Sequence, residues 1–273
     1  MAMLCAGGAA RWGGAALLAA AGCLPRPAAA SDVAAIYRAY WAGLPAGEIR
    51  LGLHDDAGSY RDQIAISSVG LPWLVTRFRG TAVTGGRDSG VRPAPARYDA
   101  LYDLRKRRGK RLSMVFAGRS GRRIAERGAG DSSGKPPLPE RFRSNVLDPL
   151  SALTAIRDEL RRGNRGSFAV PVYDGARRFD VLVRVLPSHT ADRVLHLELT
   201  LSPIAGFKGR SSDDGDPDDA PRPVALTLSN DARLLPLAMR VSLYYLPLVV
   251  ELSRWCYSAS RCGLWDTVRA ARS

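Results

Sequence analysis

The chain has 273 residues, with 40 Lys and Arg against 26 Asp and Glu, for a formal charge of +14. Its four cysteines and three histidines show no zinc-ligand spacing, which argues against a metal centre. The length suits one β-rich domain, and the basic excess suits an anionic partner.

Residues 1–30 read as an export signal. Arg11 supplies the positive start, and the apolar run from Trp12 to Leu24 is too short to span a bilayer comfortably. Ala28-Ala29-Ala30 is a cleavage site before Ser31, so the expected location is the periplasm. A competing pattern, Ala20-Ala21-Gly22-Cys23, would lipidate Cys23 and give a membrane-anchored lipoprotein; Ala20 in place of the usual leucine weakens it. Arg11 and Arg26 are the only charges in the segment, so cleavage after Ala30 leaves +12. Export removes nucleic acid from the partners the basic charge could serve.

After residue 31 the apolar residues alternate with period two. Ile49, Leu51 and Leu53 alternate with Glu48, Arg50 and His54; Tyr60, Ile64 and Ile66 alternate with Arg61, Gln63 and Ser67. Each run predicts a strand with one buried face. Arginines crowd between Arg105 and Arg127, either as a solvated strand face or as a surface for anionic lipid headgroups. Residues 128–139 are rich in Gly, Ser and Pro and predict a mobile loop. The Gly130-Asp131-Ser132-Ser133-Gly134 run within it resembles a protease serine motif, but no histidine has the context of a base.

Asp148-Pro149 predicts a capped helix start, and Leu150, Leu153, Ile156 and Leu160 form its apolar stripe. Arg157, Arg161 and Arg162 suit the negative end of the helix dipole, and Gly163 suits a left-handed cap. Phe168 to Tyr173 reads as a strand, with Pro171 marking an edge or a bulge. Asp174-Gly175 turns it into a return strand whose Phe179, Val181, Val183 and Val185 share one face. Beside that turn Tyr173, Arg178 and Asp180 are candidates for lining a ligand groove.

Leu195, Leu197, Leu199 and Leu201 mark a further strand. The aspartate-rich stretch near 211–222 lacks the ordered spacing of a calcium loop and predicts a second mobile loop. Leu234 to Leu252 is long and apolar, but Arg240, Pro236 and Pro247 interrupt it, so strands with a turn near Pro247 are expected instead of a membrane helix. Cys256 and Cys262 would remain after cleavage and predict a disulfide, whose short loop would stabilise by about 2 kcal/mol.

Several of these segments, in order, resemble a bacterial family of exported proteins, the domain-of-unknown-function family DUF3108. They are Tyr40 to Glu48, Asp148 to Leu153, Tyr173 to Asp180, Pro203 to Lys208 and Ser229 to Leu237. The resemblance implies an envelope protein with a mainly antiparallel sheet, somewhat similar to curved lipid-carrier half-barrels. It implies no activity.

The expectation is therefore a mainly β (α+β) domain over residues 31–273: a large curved antiparallel sheet or half-barrel with one packed amphipathic helix. The leading functional expectation is a non-enzymatic binder or carrier of an apolar or amphiphilic ligand, with peripheral membrane contact and no cofactor. The second is a structural or assembly factor that binds protein or glycan through the sheet surface. The third is an enzyme with a site assembled from distant residues.

Overall fold

The computed structural model describes residues 31–56, 58–105, 107–119, 122–132, 134, 136–187, 193–207, 223–243, 246–257 and 262. The expected leader, with Ala30 and Cys23, and the loop at 211–222 lie outside the described residues. The first half of the chain runs β1 (Ser31–Trp41), β2 (Leu44–Asp56), β3 (Ser59–Ser68), α1 (Gly70–Thr76), β4 (Arg79–Asp88), β5 (Pro93–Leu104), β6 (Arg107–Arg119) and β7 (Arg122–Arg127). Two helices follow, α2 (Glu140–Arg143) and α3 (Pro149–Arg161). The second half runs β8 (Ser167–Tyr173), β9 (Arg178–Val185), β10 (Val194–Ala205), β11 (Pro223–Ser229), β12 (Pro236–Leu243) and β13 (Leu246–Cys256).

All thirteen strands belong to one antiparallel, nearly closed, barrel-like sheet, in the order β7-β6-β5-β4-β3-β2-β1-β13-β12-β11-β10-β9-β8. The central strand β1 pairs with β2 on one side and with β13 on the other, so the two halves of the chain are joined through its first strand. Neighbouring strands are consecutive in sequence everywhere else, which makes each half a meander. The turns therefore alternate between two ends of the barrel. Cys256 and Cys262 are disulfide-bonded at the end where β1 begins.

The edges β7 and β8 are brought together by the segment Ser144–Leu147. Ser144 bridges to Ile124 of β7, and Asn145 N donates to Arg123 O at 2.7 Å. Leu147 then bridges to β8: its N–H donates to Pro171 O at 2.9 Å, and its carbonyl accepts from Tyr173 N at 2.8 Å. This strap satisfies edge groups that would otherwise invite pairing with another chain. Pro171 thus lies on an edge strand, where its missing N–H interrupts no ladder.

Asp148 caps α3 as expected, accepting from Leu150 N at 3.0 Å and Ser151 N at 2.9 Å. Gly163, at φ +84°, ends it. The helix is buried on nearly every side between Leu150 and Leu160, because it lies inside the curve of the sheet. Its apolar side packs with Val170, Val183, Leu195 and Leu197 of the second half. A second cluster joins β1, β2 and β13, and a third joins β4–β6 to Val146, Leu150 and Tyr173.

Three details differ from the sequence-based expectation. Arg157 is fully buried in the interior, so it is not one of the surface cations that meet the helix dipole. Two short helices, α1 and α2, accompany α3. The described part of the 128–139 loop is fastened to β6, with Gly128 N donating to Ser113 O at 2.9 Å and Ser132 N to Arg111 O at 2.9 Å. Among the described residues no helix is long and apolar enough to cross a membrane.

Candidate functional site

The period-two alternation of the strands sends one side-chain set into the barrel. From β9 and β10 these are Phe179, Val181, Leu199 and Leu201; from β2 and β3 they are Ile49, Leu51 and Ile64. Pro149, Leu150, Leu153 and Ile156 of α3 stand over them. Helix and sheet border a hollow of about 420 Å³, open to solvent on one side, whose walls are almost wholly carbon. The tyrosine in the wall, Tyr37, donates its hydroxyl to Pro236 O at 3.0 Å, and burial holds its pKa well above the ordinary value.

The cavity wall reaches the half of β9 nearest α1 through Phe179 and Val181, passes mid-strand at Ile64, Leu199 and Leu226, and extends to Pro236 at the start of β12. Ile49, Leu199 and Leu201 are only half-buried, so solvent reaches the wall there. The C-terminal part of α3 packs with Val185, Leu195 and Leu228, toward the end where β10 begins.

That part is held by a buried polar seam that runs along α3 beside the cavity-lining residues. Arg157 Nη2 lies 3.1 Å from Asp55 Oδ2 and 3.0 Å from Arg233 O, and its Nε donates to the same carbonyl at 3.1 Å. Arg161 Nη2 reaches Asp55 at 2.8 Å, and Arg161 also pairs with Asp158 at 3.0 Å. Burial pushes the Asp55 pKa up, but the two guanidiniums outweigh it and hold the carboxyl below its ordinary range. One turn earlier, Thr154 donates to Asp62, whose other oxygen has no hydrogen-bond partner. Burial raises Asp62 to about 7 against the opposing pull of the Thr154 hydroxyl and Arg157.

The seam continues to the start of the helix. Tyr60 Oη lies 2.6 Å from Ser151 Oγ, and Thr84 Oγ1 lies 2.9 Å from Asp148 Oδ2 and 3.1 Å from Ser151 Oγ. Burial raises the Asp148 pKa despite these bonds. The carboxylates of the seam are thus engaged in fixing α3, and none of them lines the cavity. Among the described residues no group of three or more His, Cys, Asp or Glu could hold a metal ion. His54 pairs with Asp32, and His196 lies 3.3 Å from Thr227, both at the surface.

The three candidates named from sequence sit near the cavity without lining it. Tyr173 is buried in the third cluster, with its hydroxyl donating to Gly175 O at 2.9 Å. Arg178 and Asp180 pair with each other at 2.6 Å on the opposite face of β9 from Phe179 and Val181. Sequence reasoning missed the neighbours that do form the wall, and it missed Asp62. Period two places Asp62 on the same face as Tyr60 and Ile64, which was the available signal.

A larger hollow of about 750 Å³ lies on the outer face of β3–β6, among Arg61, Arg97, Asp99 and Arg111. Its walls are charged, and Arg97 is already bonded to Asp99. The apolar hollow is the better candidate, since ligand pockets are lined predominantly by apolar side chains.

A barrel-like antiparallel sheet wrapped around a buried helix, with an apolar hollow between them, defines the class of fold. The chain belongs to the family described as "Protein of unknown function (DUF3108)", whose model matches residues 36–250. Among solved structures it is similar to a beta-barrel-like protein of domain of unknown function DUF1849 from Brucella abortus. The identity is 11%, the TM-score is 0.56, and the match covers 82% of this chain and 97% of that one. At that identity the likeness establishes the fold alone. No curated protein matches the sequence.

Proposed function

We propose that this protein binds an apolar or amphiphilic molecule in the cavity under α3, and that it does so in the periplasm after export. The carrying observation is the cavity itself. Protein interiors pack like organic crystals, with few voids larger than a water molecule. A carbon-lined hollow of about 420 Å³ between α3 and the sheet, open to solvent on one side, leaves a contiguous apolar wall uncovered, the mark of a binding groove. Its size falls in the range of about 300–1,000 Å³ typical of small-molecule sites. Its wall offers dispersion contacts and removal of apolar surface from water, and almost no polar recognition. A chain-like hydrocarbon segment fits that chemistry, with any polar head left at the half-buried end of the cavity.

The polar seam supports the reading indirectly. It fastens α3 by hydrogen bonds and ion pairs to β2, β3, β4 and the β11–β12 turn, so the helix is held in place without its apolar side chains filling the hollow. Titration with a fluorescent long-chain fatty acid tests the proposal. Saturable one-to-one binding is expected, and Leu199→Trp should weaken it about tenfold or more by filling the site. Val115→Trp, on the outer face, should bind like the parent. Absence of binding, or equal affinity in both variants, would overturn the proposal.

A further inference from the structure

Nine large apolar side chains are exposed among the described residues, and five of them gather at one end of the barrel. Leu44, 54% exposed, follows the β1–β2 turn, and Leu246 follows the β12–β13 turn. Val69 and Leu74, the latter 64% exposed, flank and belong to α1, and Ile204 ends β10. The strand order makes these positions neighbours along one arc of the rim. The other four, Val91, Val115, Leu182 and Tyr257, are scattered over the opposite end and the outer face.

The arc is held together by its backbone. Ala42 N donates to Pro247 O at 2.9 Å, Val69 N to Ala46 O at 2.9 Å, and Arg105 N to Thr76 O at 2.8 Å. Gly70, at φ +59°, makes the tight entry to α1 possible, since a Cβ there would lie 2.7 Å from Pro45 O. The apolar tips are thus mounted on interlocked turns.

Cations adjoin the arc. Arg77 and Arg105 on the β3–β4 and β5–β6 connections, and Arg79 and Arg108 at the starts of β4 and β6, are exposed at the same end. The Arg79 guanidinium stands 5.0 Å over the ring of Trp73. Asp103, an acid at this end, has a carboxylate oxygen occupied by Gly109 N at 2.6 Å.

We propose that this rim docks the protein on an anionic phospholipid bilayer, with the leucine tips in the acyl boundary and the arginines at the phosphates. A clustered apolar patch marks an interaction site, and apolar tips beside arginines match a surface that offers hydrocarbon beneath a layer of negative charge. The docking rests on the proposed ligand reading and supplies its partner. The cavity wall reaches toward this rim through Phe179, Val181 and Leu201, so a docked protein exchanges an amphiphile with the bilayer through that side.

Co-sedimentation of the full chain with vesicles of phosphatidylglycerol and phosphatidylethanolamine tests the docking. The parent should sediment with these vesicles, more weakly at high salt, and should leave phosphatidylcholine vesicles largely unbound. The double variant Leu44→Asp, Leu74→Asp should lose about tenfold or more of the binding, given the burial energy of a leucine. Arg77→Glu with Arg108→Glu should lose a similar share, whereas Val91→Asp at the opposite end should bind like the parent. Any contribution of residues 1–30 is common to all variants and cancels in the comparison.

A parent that stays in the supernatant overturns the docking, as does equal loss in Val91→Asp. A dimer that the leucine substitutions dissociate, without vesicle binding, would assign the rim to a second copy instead. Fatty-acid titration without vesicles separates the two proposals. The leucine variant should keep its affinity there, while failure of the cavity reading would show as absent fatty-acid binding with vesicle binding intact.

Discussion

Arg157 and Asp55 meet at 3.1 Å inside the barrel, joining α3 to the end of β2 across 102 positions of sequence. The guanidinium is fully buried and also donates twice to the carbonyl of Arg233 in the β11–β12 turn. One side chain therefore ties the helix to both halves of the sheet. A buried pair is a weak source of net stability, but breaking it leaves an uncompensated charge. Asp55→Ala should lower unfolding free energy by about 3–5 kcal/mol. Arg161→Ala, which removes a partly exposed partner of the same carboxylate, should cost about 1 kcal/mol or less. Urea unfolding of the two variants measures the difference.

Asp62 should make stability fall as pH rises toward neutrality. Its carboxyl is raised from 3.8 to about 7, first by burial, so the folded state keeps a proton that the unfolded chain has released. Between about pH 4 and pH 7 the unfolded state binds fewer protons, and stability falls with rising pH in that window. Asp55 has the opposite sign: its pKa is lowered, so its contribution is present above pH 3.8 and is lost as the solution becomes more acidic. Asp62→Asn should therefore gain on the parent progressively from pH 4 to 7 and by a constant amount above. Chemical unfolding at pH 5 and pH 8 checks this, and an identical difference at the two values would contradict it.

Asp148 accepts hydrogen bonds from Leu150 N and Ser151 N and lies within bonding distance of the hydroxyls of Ser151 and Thr84. Asp148→Ala removes a helix cap and leaves buried donors without acceptors. The expected loss is about 3 kcal/mol or more. Thermal unfolding followed by circular dichroism would measure it, with Ser151→Ala as the milder comparison.

The strap that joins the sheet edges contains Asn145 at φ +53°. Its N–H donates to Arg123 O, and its Oδ1 accepts from Arg123 N at 3.2 Å. Asparagine tolerates the left-handed region, whereas a residue with an ordinary Cβ is strained there by about 1–2 kcal/mol. Asn145→Ala should cost that strain and the lost side-chain bond; Asn145→Gly should cost only the bond. Amide exchange at Leu147 and Tyr173 should accelerate in the alanine variant if the strap closes the barrel.

Local chemistry made parts of the fold legible. Asp148-Pro149 marks a helix start because the cap and the missing N–H are properties of two adjacent residues. Asp174-Gly175 marks a turn for a similar reason: Asp174 accepts from Ala176 N and Arg177 N, and Gly175 takes φ +89°. A Cβ at Gly175 would collide with Leu112 of β6, a constraint that nothing local announces. Arg157 looked like a dipole-matching cation because its destination depends on Asp55 and Arg233, each distant in sequence. The strap and the cavity were illegible for the same reason. Both arise from the closing of thirteen strands around a helix, and no window of the chain contains that geometry.

Native mass spectrometry of the purified protein, with solvent extraction of whatever travels with it, tests the central claim most directly. The account predicts a one-to-one complex with an apolar or amphiphilic molecule in the parent, either co-purified or formed on adding a fatty acid. It predicts loss of that complex in Leu199→Trp. A parent that stays at its bare polypeptide mass under both conditions, or a complex that persists unchanged in Leu199→Trp, would contradict it.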